Sequence, residues 1–572
     1  MPACNTVKRG MPQLLLGPLL RYVSRDAATI WVETDRPCTV GILDVATPTF
    51  SVWGHHYALV IVRDLAPASA IEYTVTLDGE KRWPLPGSPL PPSIIRTLGG
   101  PGPTRILFGS CRAAGPHEPP FDLRPEQDDR GIGVDALRAH GLRMLAGTVD
   151  EWPDLIMMLG DQVYADEPSP DAAAHIDEHR DGDADEAPTE IVADFEEYTM
   201  LYRESWSSDV ERWMLSVLPS AMIFDDHDMI DDWNISATWV RDIRCEPWWE
   251  EHIVGGLVSY WIYQHAGNLS PEQIDDEGIL SELMHSSDAG AVLRRWALRS
   301  EEYTPVPGGY SFNYTRHLGD AHMVVLDCRN GRVLDPESRS MLDDEEWAFV
   351  EAASREPCRH LILATSLPMF VPGGLHGLQQ WNEAVCAGRW GRPMAWAGEK
   401  LRRALDMEDW AAFDRSFRAM ETLIIERATR SGAEGEPPPA TITVLGGDIH
   451  FSYVTELLLR DGSPTVSRMH QLVSSPMRNV LASRDRRCLR FTASGVGRRI
   501  AERLQRWVGR PPTRLCWDLD DDPVFANTMG LLCFDGEVGV VQIERAFLDD
   551  DAAPCLEVVL ERRLSQPDDV DY

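Results

Sequence analysis

The stretch LIMMLGDQ at Leu155–Gln162 decides the fold class, because five apolar residues run directly into a glycine and a carboxylate. A short apolar run bounded by turn residues is typical of a strand buried on both faces of a sheet. Five further runs have the same form: Arg105–Cys111, Ser220–Asp228, Ala321–Arg329, His360–Pro368 and Thr441–His450. In open α/β sheets, ligands bind at the carboxyl ends of such strands. The runs therefore predict an α/β fold with a functional site at one sheet edge.

Potential metal ligands stand at the ends of these predicted strands. They are Cys111, Asp161, Tyr164, Asp226, His227, Asp448 and His450. So many polar and charged groups beside a hydrophobic sheet are costly unless an opposite charge neutralises them. The sequence therefore predicts that a cluster of multivalent cations binds there.

Two of the runs indicate how such cations would be held. Asp161 has two carboxylate oxygens and can bridge two metals, and Tyr164 could add a phenolate. A phenolate at neutral pH requires a strongly Lewis-acidic metal such as Fe(III). In the last run, Asp448 and His450 are two residues apart and can reach adjacent metals from one loop. A buried core histidine is the alternative for His450 taken alone.

The stretch DDHDMIDDWN at Asp225–Asn234 holds five carboxylates and an imidazole. A solvated acidic turn is the alternative, but the stretch follows the apolar Ala221–Phe224 without a spacer, which favours a site. Cys111 could be a thiolate ligand, although a free cysteine is more often a small buried apolar residue. Arg112 beside it could face phosphate oxygens.

Composition limits the functional classes. The net charge of -37 over 572 residues argues against general affinity for nucleic acid or for anionic membranes. Eleven cysteines without a CxxC pair fit free thiols in a reducing compartment. Leu14–Leu20 fits a first strand better than a signal peptide, and no apolar stretch reaches the ~20 residues of a membrane span. We therefore expect a cytoplasmic protein without a membrane segment; the sequence does not indicate its oligomeric state.

The chain divides into two predicted domains. Residues 1–98 contain short strands, and Tyr73 after Leu65-Ala66-Pro67 resembles the tyrosine corner of a small fibronectin-like sandwich. After a proline-rich linker, residues 104–572 form the catalytic domain. Its further features are helical insertions near 194–300 and 378–430 and a closing β segment near 515–565. The acidic stretch Asp171–Pro188 is expected to be a disordered surface loop; a calcium-binding loop is the alternative, but the regular ligand spacing and the closing glutamate are missing.

A basic island lies at Arg484–Arg514 of this acidic chain, and it includes Arg486, Arg487, Arg490, Arg498, Arg499, Arg503 and Arg506. An amphipathic helix that pairs with the acidic body is the preferred interpretation. A docking surface for an anionic partner is the alternative.

The motifs together resemble the metallophosphatase (calcineurin-like) superfamily, and within it the PhoD-like alkaline phosphatase family. The stretches that carry the resemblance are GSCR at Gly109–Arg112, GDQVYAD at Gly160–Asp166, DDHDMIDDWN at Asp225–Asn234, LDCR at Leu326–Arg329 and GGDIH at Gly446–His450. The resemblance implies a four-layer αββα domain with a dinuclear metal site. It places an iron on Cys111, Asp161, Tyr164 and His450. Asp161 would bridge to a second metal, held also by Asp226 and Asp448.

The chain departs from many members of that superfamily at two positions. Ser366 and Asp448 stand where many members have histidines. The second metal site is therefore rich in oxygen, which favours Ca²⁺, or Mg²⁺ or Mn²⁺, over Zn²⁺.

The resemblance implies a phosphoric ester hydrolase that acts on small-molecule monoesters or diesters through a metal-activated hydroxide. We expect His227 to stabilise phosphate oxygens or to protonate the leaving group. Arg112 and Arg329 are candidates for binding phosphate oxygens. Residues expected to support the ligands or to hold an extra cation are Asp225, Asp231, Asp232 and Asn234. The alternative is a metal-stabilised scaffold or partner-binding protein without catalytic activity.

Overall fold

The computed structural model describes residues 10–180, 187–300, 310–429, 437–481, 494–519 and 522–565, with residues 486, 489, 490 and 492. The chain forms two compact units. The first comprises Met1–Gly100, Trp206–Ser220 and Ala266–Arg295, and the second comprises Pro101–Ser205, Ala221–His265 and Trp296–Tyr572. The domain limits expected at 98 and 104 stay a prediction.

The strands and helices follow one another in the order that the apolar runs indicate. The strands are β1 (Leu14–Val23), β2 (Ala28–Thr34), β3 (Thr39–Ile42), β4 (Val45–Pro48), β5 (Phe50–Val52), β6 (His55–Val62), β7 (Ala70–Tyr73), β8 (Val75–Leu77), β9 (Glu80–Trp83), β10 (Ser93–Arg96), β11 (Thr104–Gly109), β12 (Leu155–Leu159), β13 (Ser220–Ile223), β14 (Tyr314–Leu318), β15 (Ala321–Leu326), β16 (His360–Thr365), β17 (Thr441–Gly446), β18 (Tyr453–Leu459), β19 (Arg468–Val473), β20 (Leu515–Cys516), β21 (Thr528–Asp535), β22 (Val538–Leu548) and β23 (Pro554–Arg563). The helices are α1 (Ala136–Ala146), α2 (Pro170–His179), α3 (Phe195–Trp206), α4 (Asp209–Val217), α5 (Ala237–Ile243), α6 (Trp249–Ser259), α7 (Pro271–Glu277), α8 (Ile279–His285), α9 (Gly290–Ser300), α10 (Asp344–Ser354), α11 (Gly373–Cys386), α12 (Arg392–Ala404), α13 (Asp414–Thr429) and α14 (Gly495–Val508).

The first unit is built on antiparallel sheets, which confirms the predicted all-β region. One sheet has the order β1-β2-β6-β5, a second has the order β4-β3-β8-β9, and β10 pairs with β7. Alternating apolar residues such as Val32, Ile42, Val60 and Val75 form one buried core. The strand predicted at Leu14–Leu20 is confirmed as part of β1.

Tyr73 does not form the predicted tyrosine corner. Its hydroxyl donates to the carbonyl oxygen of Ser216 at 2.7 Å, in α4 of the same unit. From that helix Arg212 donates through Nε to the carbonyl oxygen of Gly17 at 2.7 Å. The prediction was wrong because sequence proximity alone suggested an upstream backbone acceptor, whereas a helix 143 residues later supplies one.

The second unit contains two mixed sheets with helices on their outer faces. The six-stranded sheet has the order β13-β12-β11-β21-β22-β23, and the seven-stranded sheet has the order β14-β15-β16-β17-β19-β18-β20. α1 packs on the first sheet, and α10 and α13 pack on the second. Between the sheets, Tyr314 of β14 donates its hydroxyl to the Met222 carbonyl oxygen of β13 at 2.8 Å. This arrangement confirms the four-layer αββα architecture.

The acidic stretch predicted as a surface loop is in part helical. Residues 170–179 form α2, where Ser169 Oγ accepts a hydrogen bond from the Ala172 amide at 3.1 Å and Pro170 occupies the first turn. Serine before proline is a helix-start signal, and it outweighs the acidic composition. Residues 181–186 of the stretch lie outside the described residues.

A search of the described residues for membrane-spanning helices gives a negative result, since each helix is too short or too polar to cross a bilayer.

Candidate metal centre

The loops after β11, β12 and β17 turn sharply at the residues predicted as ligands. Cys111, Asp161, Asp448 and His450 have φ angles of 57°, 53°, 64° and 53°. Residues other than glycine seldom adopt this left-handed region, and such conformations concentrate at functional sites. The loops also contact one another: the Cys111 amide donates to the carbonyl oxygen of Gly160 at 3.1 Å. The strand ends therefore meet, as the runs predicted.

Two glycines allow the loops to come so close. Gly160 has a φ of 107°, and a Cβ added to it would lie 2.5 Å from the Cβ of Asp225. A Cβ on Gly447 would collide with the side chain of Ser110. The glycines before Asp161 and Asp448 are thus required by close packing of the loops.

One group of potential ligands joins the ends of β11, β12 and β17. Ligand atoms of Cys111, Asp161 and His450 all lie within 4.8 Å of one another. The Cys111 Sγ is 3.2 Å from Asp161 Oδ2. Tyr164 is buried beside this group, where its hydroxyl accepts a hydrogen bond from Asn479 Nδ2 at 3.1 Å. These four residues are the ones that the resemblance assigned to an iron.

A second group shares Asp161 with the first. Ligand atoms of Asp161, Asp225, Asp226 and Asp448 lie within 4.8 Å of one another, and so do those of Asp161, Asp226 and His227. The structure therefore brings together the residues predicted for the second metal, and it adds Asp225. Asp161 is the residue common to all three groups, as a bridging ligand must be.

The electrostatics of these groups favour an added cation. Burial, together with the neighbouring carboxylates, raises the pKa values of Cys111, Asp161 and Asp448 well above their usual values. Burial and the adjacent Cys111 and Asp161 likewise raise the pKa of Tyr164. Asp161 Oδ1 is buried without a hydrogen-bond partner among the described residues. Anionic ligands would be unstable here without a counter-charge, so the donor set fits bound metal cations.

His450 already has the protonation state that a metal ligand needs. Burial, and then the charge of His227, lowers the pKa of His450 to about 3. The imidazole is therefore neutral near pH 7, which is the form that binds metals.

Arg329 lies among the carboxylates of the second group and is fully buried. It forms ion pairs with Asp225 and Glu408, and its Nη2 lies 3.0 Å from Asp226 Oδ1 and 3.8 Å from Asp448 Oδ1. The guanidinium thus neutralises part of the negative charge. Its expected role in binding phosphate oxygens stays a prediction.

His227 lies at the entrance of the site. Its Nδ1 is 2.9 Å from Asp166 Oδ1, and its ring centroid is 4.8 Å from that of Tyr164. Burial acts to lower the pKa of His227, but the Asp166 carboxylate, with Asp161 and Asp226, outweighs it and raises the pKa well above its usual value. The three carboxylates therefore favour the protonated form of His227.

The guanidinium of Arg112 is held by Asp135 and Ser205. Its Nη2 donates to Asp135 Oδ2 at 2.7 Å, and its Nη1 donates to the carbonyl oxygen of Ser205 at 2.7 Å. Only 3% of the residue is exposed. The contacts give Arg112 a structural role, and its role in catalysis stays a prediction.

The residues expected to support the ligands lie close to them. The Asp232 amide donates to Asp226 Oδ2 at 3.3 Å, and the Asp231 amide donates to Asp166 Oδ2 at 2.6 Å. Asn234 Nδ2 donates to the carbonyl oxygen of Arg329 at 3.2 Å.

The sequence did not reveal that Asp228 links the loop after β12 to the loop after β13 by hydrogen bonds. Its Oδ2 accepts from the amides of Asp161 and Asp225, both at 2.9 Å. Its Oδ1 accepts from the Gln162 amide at 3.2 Å and from Gln264 Nε2 at 3.1 Å. Its place in the run of carboxylates marked it as a candidate, but nothing in the sequence distinguished it from its neighbours.

Comparisons with known proteins relate part of this chain to a family of phosphatases and its fold to solved structures. Residues 138–248 match the PhoD-like phosphatase family, and residues 11–95 match a domain of unknown function, DUF7800. Among solved structures, PhoD aligns with 99% of this chain and 94% of its own at 12% identity and a TM-score of 0.54. Purple acid phosphatase PPD1 from yellow lupin (Lupinus luteus) seeds aligns with 97% of this chain and 74% of its own at 9% identity and a TM-score of 0.47. None of the curated proteins matches the chain in sequence.

The αββα fold, the family match and the donor groups indicate a metal-dependent phosphoric ester hydrolase. Within that class, the resemblance to PhoD-like phosphatases is confirmed by the family match, which covers the ends of β12 and β13.

Proposed function

We propose that this protein hydrolyses phosphate monoesters or diesters at a dinuclear metal centre. The observation that carries the proposal is the position of Asp161, which belongs to all three groups of potential ligands. Cys111, Asp161, Tyr164 and His450 would hold an iron. Asp161, Asp226 and Asp448 would hold a harder ion, Ca²⁺ or else Mg²⁺ or Mn²⁺. When bound, the two cations would neutralise the phosphate and lower the pKa of a water molecule.

His227 is the residue we assign to proton transfer. Asp166 binds its Nδ1, which fixes the ring and leaves Nε2 to act on the substrate. A proton on Nε2 can stabilise phosphate oxygens or pass to the departing alcohol oxygen. The carboxylate and imidazole thus act as a pair, with Asp166 orienting His227.

A cavity beside Tyr164 offers space for the organic part of an ester. Its volume is about 360 Å³, and its lining includes Phe121, Ile132, Val163 and Glu167. Apolar walls with a few polar groups are typical of small-molecule sites. The cavity therefore supports a small organic phosphate as the substrate class.

The central test combines metal analysis with turnover of nitrophenyl phosphate and bis(nitrophenyl) phosphate. We expect about two metals per chain in the unaltered protein. Asp161→Asn and His450→Ala should each lose metal and reduce turnover by about a thousandfold or more, because the cations supply most of the charge stabilisation. The matched controls Asp320→Asn and His285→Ala change exposed residues of the same types and should change neither quantity. Unchanged turnover in either site variant, with the fold intact, would remove the proposed site.

Visible absorption tests the identity of the first metal. A phenolate on Fe(III) gives a purple or brown charge-transfer band, and Tyr164→Phe should abolish it while iron remains detectable. Calcium, magnesium and manganese are told apart by elemental analysis of the same samples. A protein that binds both metals but is inert toward many esters would instead favour the scaffold alternative.

A further inference from the structure

A second cavity lies at the start of α11 and is lined by residues that play no part in the proposed metal centre. Its volume is about 480 Å³, within the range of small-molecule sites. Residues of its wall include Gly373, His376, Arg460, Arg498, Arg506 and Arg510. The wall also holds two carboxylates, Glu502 and Asp518, so its four arginines leave an excess of positive charge in a chain whose net charge is -37.

The positive charge of this cavity is only partly neutralised. Arg460 donates to the carbonyl oxygens of Thr513 at 2.7 Å and Leu515 at 3.3 Å, and no carboxylate pairs with it among the described residues. Arg510 pairs with Glu383 and Asp414, yet its buried Nε has no hydrogen-bond partner within the described part of the chain. These contacts fix both guanidinium groups in place. Arg498 is paired with the exposed Asp518, and Arg506 Nη2 lies 3.8 Å from Glu502 Oε2, so the capacity to bind an anion rests first on Arg460 and on Nε of Arg510.

His376 is a second, independent sign of a missing ligand. The residue is 3% exposed, and neither ring nitrogen has a hydrogen-bond partner among the described residues. Buried polar atoms in native proteins are almost always paired, so each exception requires an explanation. Burial, and then the charges of Arg418 and Arg460, lowers the pKa of His376 to about 3, which shows the positive potential around it.

The first turn of α11 faces the same space. The helix begins at Gly373, and Pro372 at its N-cap offers no side-chain hydrogen bond to the first amides. The Arg498 side chain lies against Gly373, 3.3 Å from where a Cβ would stand. Free amides at a helix N-terminus attract anions. The helix start, the arginines and the imidazole therefore line the same cavity.

We propose that this cavity binds a small organic anion with a phosphate or comparable dianionic group. Arg460 and the first turn of α11 bind the dianion, Arg498 joins them by exchanging its exposed partner Asp518 for the ligand, and His376 donates one further hydrogen bond. The half-buried Trp517 ring, 5.0 Å from the His376 ring, contacts the organic part. The site requires neither metal nor turnover, so it goes beyond the hydrolase function.

Hydrogen–deuterium exchange of the metal-loaded protein can locate this binding. The probes are phenylphosphonate, which phosphatases cannot hydrolyse, and inorganic phosphate. We expect phenylphosphonate to protect segments 373–386 and 495–518, in addition to any protection of loops 109–112 and 446–450. Stronger protection by phenylphosphonate than by phosphate identifies an organic ligand, whereas equal protection by both would assign the site to free phosphate and overturn the organic part of the proposal.

Variants of α14 provide a matched pair. Arg498→Gln with Arg506→Gln removes two charges that line the cavity, and Arg499→Gln with Arg503→Gln removes two exposed charges of the same helix outside the lining. We expect the first pair to weaken binding at this site about tenfold and the second pair to change it less than about twofold. Nitrophenyl phosphate turnover should be unchanged in both. An equal loss of binding in the two pairs of variants would overturn the proposal. So would the absence of protection of segments 373–386 and 495–518 at about 10 mM of either probe.

Discussion

At the residue scale, the candidate centre combines strained backbone with unfavourable charge. Each left-handed residue other than glycine costs about 1–3 kcal/mol, and Cys111, Asp161, Asp448 and His450 are all of this kind. The same residues carry ligand groups that repel one another or lack partners. Bound cations would offset both costs, since they would neutralise the ligands that these loops bring together.

Gly160→Ala tests how tightly the loops must approach. The new Cβ would meet the Cβ of Asp225, and the φ of 107° disfavours any side chain. We expect a loss of about 2–4 kcal/mol in the free energy of unfolding, together with weaker metal binding. Gly388→Ala is the matched control, because its φ of 88° imposes strain but its Cβ would meet nothing within 4 Å. The measurement is urea unfolding of both variants, and equal losses would show that loop contact is irrelevant.

His227→Gln tests proton transfer to the leaving group. Nitrophenolate leaves without protonation, whereas an alkoxide does not, so only alkyl esters depend on a general acid. We expect turnover of an alkyl phosphate to fall about 10²–10⁴-fold and that of nitrophenyl phosphate to fall about tenfold or less. Asp166→Asn weakens the contact that orients the His227 ring. It should lower the turnover of both esters as well, by smaller factors. Metal content should be retained in both variants, and an equal fall for the two esters would contradict the assignment.

The sequence revealed the potential ligands because each follows an apolar run directly. Asp161 and His450 stand within two to four residues of a buried strand end, so position and chemistry agree. The partners of Arg112 could not be predicted in this way. Asp135 and Ser205 stand 23 and 93 residues from Arg112, and only the folded chain brings them to its guanidinium.

At the element scale, Asp228 joins the loop after β12 to the loop after β13. Both of its oxygens accept hydrogen bonds, from amides of the first loop, from the Asp225 amide and from Gln264. Buried carboxylates that accept several amide hydrogen bonds fix loops in one conformation. Asp161 and Asp226 therefore owe their relative position to a residue that is not itself a proposed ligand.

Asp228→Asn should separate this positioning role from metal binding. An asparagine side chain has one acceptor oxygen and one donor NH₂ group. No orientation of it can therefore accept the hydrogen bonds of all the amides that the two carboxylate oxygens of Asp228 accept. We expect a loss of about 2–4 kcal/mol in the free energy of unfolding and a lower metal affinity, with activity restored in part by excess metal. Asp461→Asn is the control, since Asp461 accepts an amide hydrogen bond from Ser463 at 2.9 Å in an exposed turn. Activity that remains low at saturating metal would instead place Asp228 in the chemical step.

Helices and strands could be predicted where the hydrophobic periodicity or the composition of a segment gives a clear signal by itself. The closing β segment expected near 515–565 contains β21, β22 and β23, and the helical insertion expected near 378–430 contains α12 and α13. The preferred helix in the basic island is confirmed as α14, although Arg487 lies outside the described residues. The acidic composition of the stretch Asp171–Pro188 wrongly indicated a loop where α2 forms. The N-cap Ser169 favours a helix there more strongly than the charged residues favour a solvated loop.

At the scale of the whole molecule, stability depends on pH through groups that folding holds neutral. His470 in β19 is 2% exposed, and burial, followed by the charges of Arg468 and Arg562, lowers its pKa to about 3. An unfolded histidine titrates near pH 6.5. Below pH 6.5 the histidine of the unfolded chain binds a proton, whereas the buried His470 of the folded chain does not. The stability present above pH 6.5 is therefore lost progressively as the pH falls toward 3.

His470→Leu removes this linkage and should flatten the acid side of the stability profile. Between pH 6.5 and pH 5.0, the unaltered protein should lose about 2 kcal/mol more in its free energy of unfolding than the variant loses. Urea unfolding followed by circular dichroism at both pH values, with metals in excess, measures the two differences. Metal release contributes equally to both proteins, and so cancels. His285→Leu controls for the loss of an exposed histidine and should retain the slope of the unaltered protein. If the profiles of the unaltered protein and His470→Leu run parallel over this range, a proton reaches His470 in the folded state and its burial does not govern acid stability.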